Sequence, residues 1–219
     1  MKKAIEMMSR ITAFASRFVL PPRRTAFIAK MAWKFAPRGE SEFAGKRVNK
    51  RENMLLVTTR LYDVVGGYKS DILAFPKPEH FKILELASSK LVPGGPASEN
   101  PNAIGSIRFV TNHAGDIKVT YVQFHYKVGD NPLMPQSFHE DHKEWRIESL
   151  KALIGLAKRN RKNIGISKEI FMRYDEKTKE ETAFDPKAFK EELAKVCEEL
   201  GVEKGEKDGT ITIFTGDEN

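Results

Sequence analysis

Apolar and polar residues alternate between residues 105 and 171 in a pattern that predicts strand, turn, strand, loop, helix and strand. The first strand is Ser106–Val110, and the turn after it contains Gly115, which can adopt a positive φ. The second strand, Ile117–Tyr126, has the highest β-propensity in the chain because it is rich in β-branched and aromatic residues.

Strict alternation along the second strand places Val119 and Tyr121 on one face and Val122, Phe124 and Tyr126 on the other. Because both faces carry apolar residues, we expect an interior strand that is covered on both sides.

A helix and a third strand are predicted to follow. Ser137 and Glu140 have the spacing of a capping box, and the helix that they open should run to about Asn160, with Trp145 flanking its buried stripe. Ile164–Ile166 is the third strand. Strand, helix and strand in this order indicate a parallel pair with a crossover. The predicted fold class is therefore α+β or α/β, with a mixed sheet.

The C-terminal part adds one more helix and one more strand. Asp185-Pro186 is typical of a helix start, and Gly201 is expected to end that helix. Thr210–Phe214 alternates as a strand does, with Ile211 and Ile213 on one face.

The N-terminal region has a helical rather than a strand period. A first helix is predicted over Lys2–Leu20 and ends at Pro21-Pro22, and a second is predicted over Thr25–Phe35. Residues 37–51 are polar and indicate a linker or surface loop. Apolar residues on one face of the first helix recur every three or four positions, and they are Ile5, Met8, Ile11, Ala15 and Phe18.

The charge of the chain is concentrated in this region. Residues 1–51 contain thirteen Lys and Arg against three Glu, a net +10, which leaves −3 for residues 52–219 because the whole chain carries +7. We therefore expect a basic helical arm and linker, 1–51, that precedes a single α/β domain, 52–219.

Three interpretations of the arm are open. It can be a helical hairpin packed on the body with its charges solvated, or it can contact nucleic acid by pairing cations with phosphates. It can also lie on a membrane surface or direct the chain to an organelle, since Arg-rich, acid-poor amphipathic N-termini serve those purposes. The residues expected to contact nucleic acid are Arg23, Arg24, Lys46, Arg47, Lys50 and Arg51.

Motifs that would define a reaction are absent from the sequence. There is no P-loop and no dinucleotide fingerprint, the single Cys197 excludes disulfides and Cys-based zinc sites, and no apolar run approaches the ~18 residues that span a bilayer. The candidates for a catalytic cleft are Gln123 and His125, at the end of the long strand. His139 and His142, three residues apart, could hold a metal together with a carboxylate or His125. No cofactor is expected.

One stretch resembles a known family. The residues that carry it are Ile104–Phe109, the turn, Lys118–Gln123, the Trp145 helix and Ile164–Ile166. In this order they are similar to an α/β module of large polyvalent proteins of phages and mobile elements. The resemblance covers residues 104–174. Members carry a Glu-Ile-Gln-Ser-Asp run on the equivalent strand. Here Val122 and Gln123 match the Ile and Gln, whereas Tyr121, Phe124 and His125 replace the Glu, Ser and Asp. The resemblance implies a retained scaffold with an altered or lost site.

The leading hypothesis is a non-enzymatic binding or assembly protein whose basic arm contacts nucleic acid, a ribonucleoprotein or a virion. Its expected location is the cytoplasm or a virion. The first alternative is a small enzyme, with or without a metal, whose cleft lies at Gln123 and His125. The second is a protein that its N-terminal helix brings to a membrane surface or an organelle.

Overall fold

The computed structural model describes residues 2–19, 21–82, 84, 102–124, 138, 142, 144–167, 170 and 186–215. The candidate site residues His125 and His139, the predicted helix caps Ser137 and Asp185, and Tyr126 lie outside these residues.

Four α-helices and nine strands make up this part of the chain. The helices are α1 (Lys2–Ala15), α2 (Pro21–Phe35), α3 (Trp145–Asn160) and α4 (Pro186–Leu200), and a 3-10 turn, Ser16–Phe18, follows α1. The strands are β1 (Gly39–Phe43), β2 (Lys46–Lys50), β3 (Leu55–Val64), β4 (Gly67–Phe75), β5 (Gly105–Asn112), β6 (Ile117–Phe124), β7 (Ile164–Ile166), β8 (Glu203–Lys207) and β9 (Thr210–Phe214).

The strands form one mixed sheet in the order β1-β2-β3-β4-β5-β6-β7-β9-β8. Neighbouring strands are antiparallel except for β6 and β7, which are parallel and are joined through α3. The predicted strand–helix–strand unit and the α+β fold class are therefore confirmed. Gly115 lies in the β5–β6 turn with φ +89, as expected for a glycine turn position.

Helices cover the sheet on both faces. On one face, α3 and α4 bury Leu150, Leu153, Phe189 and Leu193 against alternate residues of the central and C-terminal strands. On the other face, the small residues of α2 pack on strands β1 to β4, with Phe43 and Phe75 at the centre of that cluster. Helices α2, α3 and α4 thus each contribute one apolar side, which is the usual way in which a helix stabilises a sheet.

Strand β6 is an interior strand, but it is not covered on both sides as predicted. The β5–β6 register shifts beside Arg108, so that Arg108 faces Tyr121 whereas Phe109 faces Val119. This bulge puts Val122 in phase with Val119, and both are buried in the α3 side of the core. Tyr121 is half-buried and Lys118 is exposed on the opposite face. The assignment of Val119 and Tyr121 to one face is wrong for the same reason.

The predicted linker is also wrong. Within residues 37–51, β1 and β2 form a hairpin, and β2 pairs with β3 from Arg47 to Lys50, so the sheet continues through the predicted boundary at residue 51. Pro21 and Pro22, expected to end the first helix, are the first residues of α2, where a missing N–H costs no hydrogen bond.

Candidate functional site

The six basic residues predicted to bind nucleic acid do not form a single surface. Side chains alternate along β2, so Lys46 and Lys50 lie on the α2 face of the sheet with the buried Val48. Arg47 and Arg51 lie on the α3 face, where Arg51 Nε is 3.0 Å from Glu148 Oε2 of α3.

Most of these cations already contact the protein itself. Lys50 Nζ donates to the backbone carbonyls of Trp33 and Ala36, the latter at 3.2 Å, and so caps the C-terminus of α2. Lys46 Nζ donates to Thr59 Oγ1 at 2.8 Å. Arg47 Nη1 is 3.5 Å from Glu40 Oε1. The hydrogen bonds of Lys46 and Lys50 indicate structural roles for these two side chains.

Burial lowers the pKa of Lys46 and of Lys50, since the charged ammonium is partly desolvated. Nearby cations add to the effect, Arg24 on the pKa of Lys46 and Arg38 on the pKa of Lys50. Arg24 Nε is buried and has no hydrogen-bond partner within the described residues. Positive charges therefore lie close together at both ends of α2, Arg24 and Lys46 near its start and Arg38 and Lys50 near its end.

Lys46 begins a polar row that crosses five strands. Thr59 faces Asp71, Asp71 faces Arg108, and Arg108 faces Tyr121 in the strand register. Arg108 donates from Nε and Nη2 to the two carboxylate oxygens of Asp71, at 2.8 and 3.1 Å. Sequence reasoning missed this pair, although charged residues that interrupt two strongly apolar strands are a visible signal.

Helix α1 presents an apolar surface to solvent. Met7, Ile11, Phe14 and Phe18 are 56, 50, 62 and 78% exposed, and the rings of Phe14 and Phe18 pack edge to face with centroids 5.4 Å apart. We call these four residues the apolar stripe. Exposed apolar side chains that lie this close together form a contiguous patch, and such patches are candidates for interaction surfaces.

The fully buried residues of α1 and the 3-10 turn that follows it are small and polar. Thr12 and Ser16 are buried, and Ser9 Oγ accepts a hydrogen bond of 2.8 Å from the backbone N–H of Ala44 in the β1–β2 turn. Ile11 and Phe18, which the sequence places on the apolar face of the first helix, are therefore exposed to solvent rather than packed on the sheet. A second apolar series, at positions 7, 11, 14 and 18, was present in the sequence and could have indicated the outward face.

Cations border the apolar stripe on one side. Lys3, Arg10 and Arg17 recur every seven residues, so they follow one another along one edge of α1 and the 3-10 turn after it, and all three are exposed. Arg10 also donates to Glu6, at 2.9 Å. Glu6 is the one acidic residue of α1, which leaves the helix with a positive surface beside an apolar one.

The predicted histidine site can be followed only in part. His142 is buried, its Nδ1 lies 2.7 Å from the carbonyl oxygen of Phe138, and its ring packs on Phe138 and near His80. Gln123 lies in β6 opposite Ser106, while His125 and His139 are outside the described residues. Within those residues no group of three or more His, Cys, Asp or Glu side chains could hold a metal ion.

No family model matches the chain, and no curated protein or solved structure matches it either. The resemblance of residues 104–174 to a phage and mobile-element module remains a prediction. In the part of the chain that the structure describes, no helix combines the length and apolarity that crossing a bilayer requires.

Proposed function

We propose that this protein is a non-enzymatic binding protein that attaches to an anionic membrane surface through α1. The observation that carries the proposal is the outward orientation of the apolar stripe beside Lys3, Arg10 and Arg17. A helix of this kind lies in the plane of the interface, with its apolar side among the acyl chains and its cations at the headgroups.

Charge complementarity supports an anionic lipid surface over a partner helix. The residues next to the stripe are cationic, and each Lys or Arg near an anionic leaflet contributes about 1 kcal/mol of attraction. A coiled coil ordinarily needs at least three to four heptads, whereas α1 has 14 residues. The exposed aromatic rings of Phe14 and Phe18 also suit the boundary between headgroups and acyl chains.

Co-sedimentation with vesicles tests the proposal. The full chain should bind vesicles that contain phosphatidylserine and bind pure phosphatidylcholine weakly. The variant Phe14→Ser/Phe18→Ser should lose most of this binding. Val65→Ser is the matched control, because Val65 is fully exposed but lies in the β3–β4 turn, away from α1. Equal binding by wild type and by the Phe14 and Phe18 variant would exclude the proposal.

A second set of variants separates charge from apolar contact. Lys3→Gln/Arg10→Gln/Arg17→Gln should weaken binding to anionic vesicles and remove its salt dependence. The matched control, Lys118→Gln/Lys195→Gln/Lys204→Gln, removes the same number of exposed cations from the body and should bind as wild type does. Self-association that disappears in the Phe14 and Phe18 variant, without any vesicle binding, would show that the stripe binds a second copy.

Nucleic acid is the second candidate partner. The net charge of +10 on residues 1–51, from thirteen Lys and Arg against three Glu, supports it. Binding to duplex DNA and to RNA, measured over a salt series, distinguishes it from the first. Nucleic-acid binding should weaken with salt, be lost in Arg23→Gln/Arg24→Gln, and be unchanged in Phe14→Ser/Phe18→Ser. Weak, salt-insensitive binding by all three proteins would exclude this candidate.

A further inference from the structure

A cavity of ≈ 190 Å³ lies on the α3 face of the sheet, between the N-terminal strands and α3. Apolar residues form part of its wall, and four of the other lining residues are basic. The basic residues that line it are Arg47, Arg51, Lys151 and Arg159, and the carboxylate among the lining residues is Glu40.

The cations are held in place by carboxylates around the cavity. Arg159 Nη1 donates to Glu40 Oε2 at 2.8 Å, and Arg47 is 3.5 Å from the other oxygen of Glu40. Lys151 Nζ is 2.9 Å from Glu199 Oε2 and 3.4 Å from Glu148 Oε1. The hydrogen bond to Glu199 raises the pKa of Lys151, so Lys151 stays charged at neutral pH.

The four cations are paired with three carboxylates, those of Glu40, Glu148 and Glu199, so the cavity carries a net positive charge. A guanidinium group has five N–H donors, and the Arg47 and Arg159 contacts to Glu40 use few of them. The remaining donors of two arginines at one cavity suit an oxyanion, which accepts paired hydrogen bonds from a guanidinium.

Asn49 supplies an acceptor beside these donors. Its side chain lines the cavity, and Asn49 Oδ1 is buried with no hydrogen-bond partner within the described residues. A buried acceptor without a donor costs free energy, and a bound molecule that carries an O–H or N–H group would remove that cost.

Gly155 keeps the cavity open. It lies in the middle of α3, where glycine is destabilising relative to alanine. A Cβ at this position would meet only Arg159 Nη1, at 3.7 Å, so the packing of the protein does not require glycine here. The space that the missing side chain leaves belongs to the cavity.

We propose that this cavity binds a small oxyanion that carries a hydroxyl or amine donor, with Arg47 and Arg159 holding the anion and Asn49 Oδ1 accepting from the donor. The volume is below the ~300–1,000 Å³ of typical sites for drug-sized ligands, which favours a small phosphate ester or carboxylate over a nucleotide. This site is separate from the apolar stripe on α1.

Calorimetric titration with inorganic phosphate, glycerol 3-phosphate and succinate tests the proposal and distinguishes phosphate from carboxylate. At least one of the three should bind with a Kd of about 1 mM or tighter. Glycerol 3-phosphate should bind more tightly than inorganic phosphate because its hydroxyls reach Asn49, and Asn49→Ala should remove that difference. No binding of any of the three probes would overturn the proposal.

Variants that leave the protein folded localise the binding. Arg159→Gln should weaken binding by about tenfold, as expected for the loss of a charge-assisted hydrogen bond. Lys195→Gln removes an exposed cation of α4 and should have no effect. Gly155→Leu fills the cavity and should abolish binding, while its thermal unfolding temperature should stay close to that of wild type. If that variant does not fold, Gly155→Ala should still weaken binding. Equal binding by wild type, Arg159→Gln and Gly155→Ala would overturn the site.

Discussion

Gly105 lies directly beneath the indole of Trp145: a Cβ on Gly105 would be 2.6 Å from Cη2 of the ring. Gly105 is the first residue of β5 and Trp145 the first residue of α3, and the Trp145 side chain is 2% exposed. The contact therefore fixes the start of α3 against the sheet, and only glycine leaves room for it.

The first prediction compares two glycines. Gly105→Ala should lower the free energy of unfolding by roughly 3 kcal/mol, because the added methyl group overlaps a buried ring that has nowhere to move. Gly155→Ala should raise it by up to about 1 kcal/mol, since alanine is the better helix former and has space. Urea denaturation measures both values. Trp145→Leu should recover part of the loss in the Gly105→Ala background, and failure to do so would contradict the contact.

The second prediction concerns the pair Asp71 and Arg108, in which Asp71 is 1% exposed. Arg108→Met should destabilise the protein by about 3 kcal/mol, because it removes the guanidinium from a buried carboxylate. Asp71→Leu/Arg108→Met should be much closer to wild type, since no buried charge then remains at this position. A double-mutant cycle by chemical denaturation checks the coupling. Additive effects of the two single substitutions would show that the pair does not interact energetically.

The third prediction tests the orientation of α1. Thr12 Oγ1 is buried with no hydrogen-bond partner in the described residues, so Thr12→Val should stabilise the protein by about 1 kcal/mol. Ile11→Thr, one position away, should change the stability by less than about 0.5 kcal/mol because Ile11 is exposed. Thermal unfolding distinguishes the two. The opposite order, with Ile11→Thr the more harmful, would mean that α1 packs through its apolar stripe.

The fourth prediction is a pair of opposite pH dependences. The pKa of Lys46 is lowered by burial, so between that pKa and 10.5 the unfolded chain binds more protons than the folded one, and the stability rises with pH. The pKa of Lys151 is raised by its hydrogen bond to Glu199, so its contribution is complete below 10.5 and is lost as the pH rises through the folded pKa.

The free energy of unfolding is measured at a series of pH values, from neutral pH to above 10.5. Wild type should gain stability relative to Lys46→Met as the pH approaches 10.5, and it should lose stability relative to Lys151→Met above that value. Slopes of the same sign for the two variants would contradict this assignment.

The central part of the fold was predictable because its residues are buried. An apolar side that packs into the core on the α3 face of the sheet is common to strands β5, β6, β7 and β9 and to helices α3 and α4. The parallel β6–β7 pair lies within this part. Burial of one side requires apolar residues at the period of the element, and that period is visible in the sequence.

The edges of the sheet were not predictable in this way. β1 and β8 are the two outermost strands, and their sequences, Gly-Glu-Ser-Glu-Phe and Glu-Lys-Gly-Glu-Lys, have little apolar periodicity. They are held by backbone hydrogen bonds to β2 and β9, which any residue except proline can make. Charged edge strands also discourage association with other sheets, which explains a composition that resembles a linker.

What the sequence by itself determined was the fold class, the buried helix–strand unit around residues 105–166 and the concentration of positive charge before residue 52. Only the tertiary structure decided which side of α1 faces outward and which residues meet across the sheet. It brought Glu40 to Arg159 and separated Lys46 from Arg47. The physical reason is that burying one side of a helix or strand requires apolar residues at the period of that element, which can be read locally in the sequence. Contacts between distant polar residues depend instead on strand register and helix rotation.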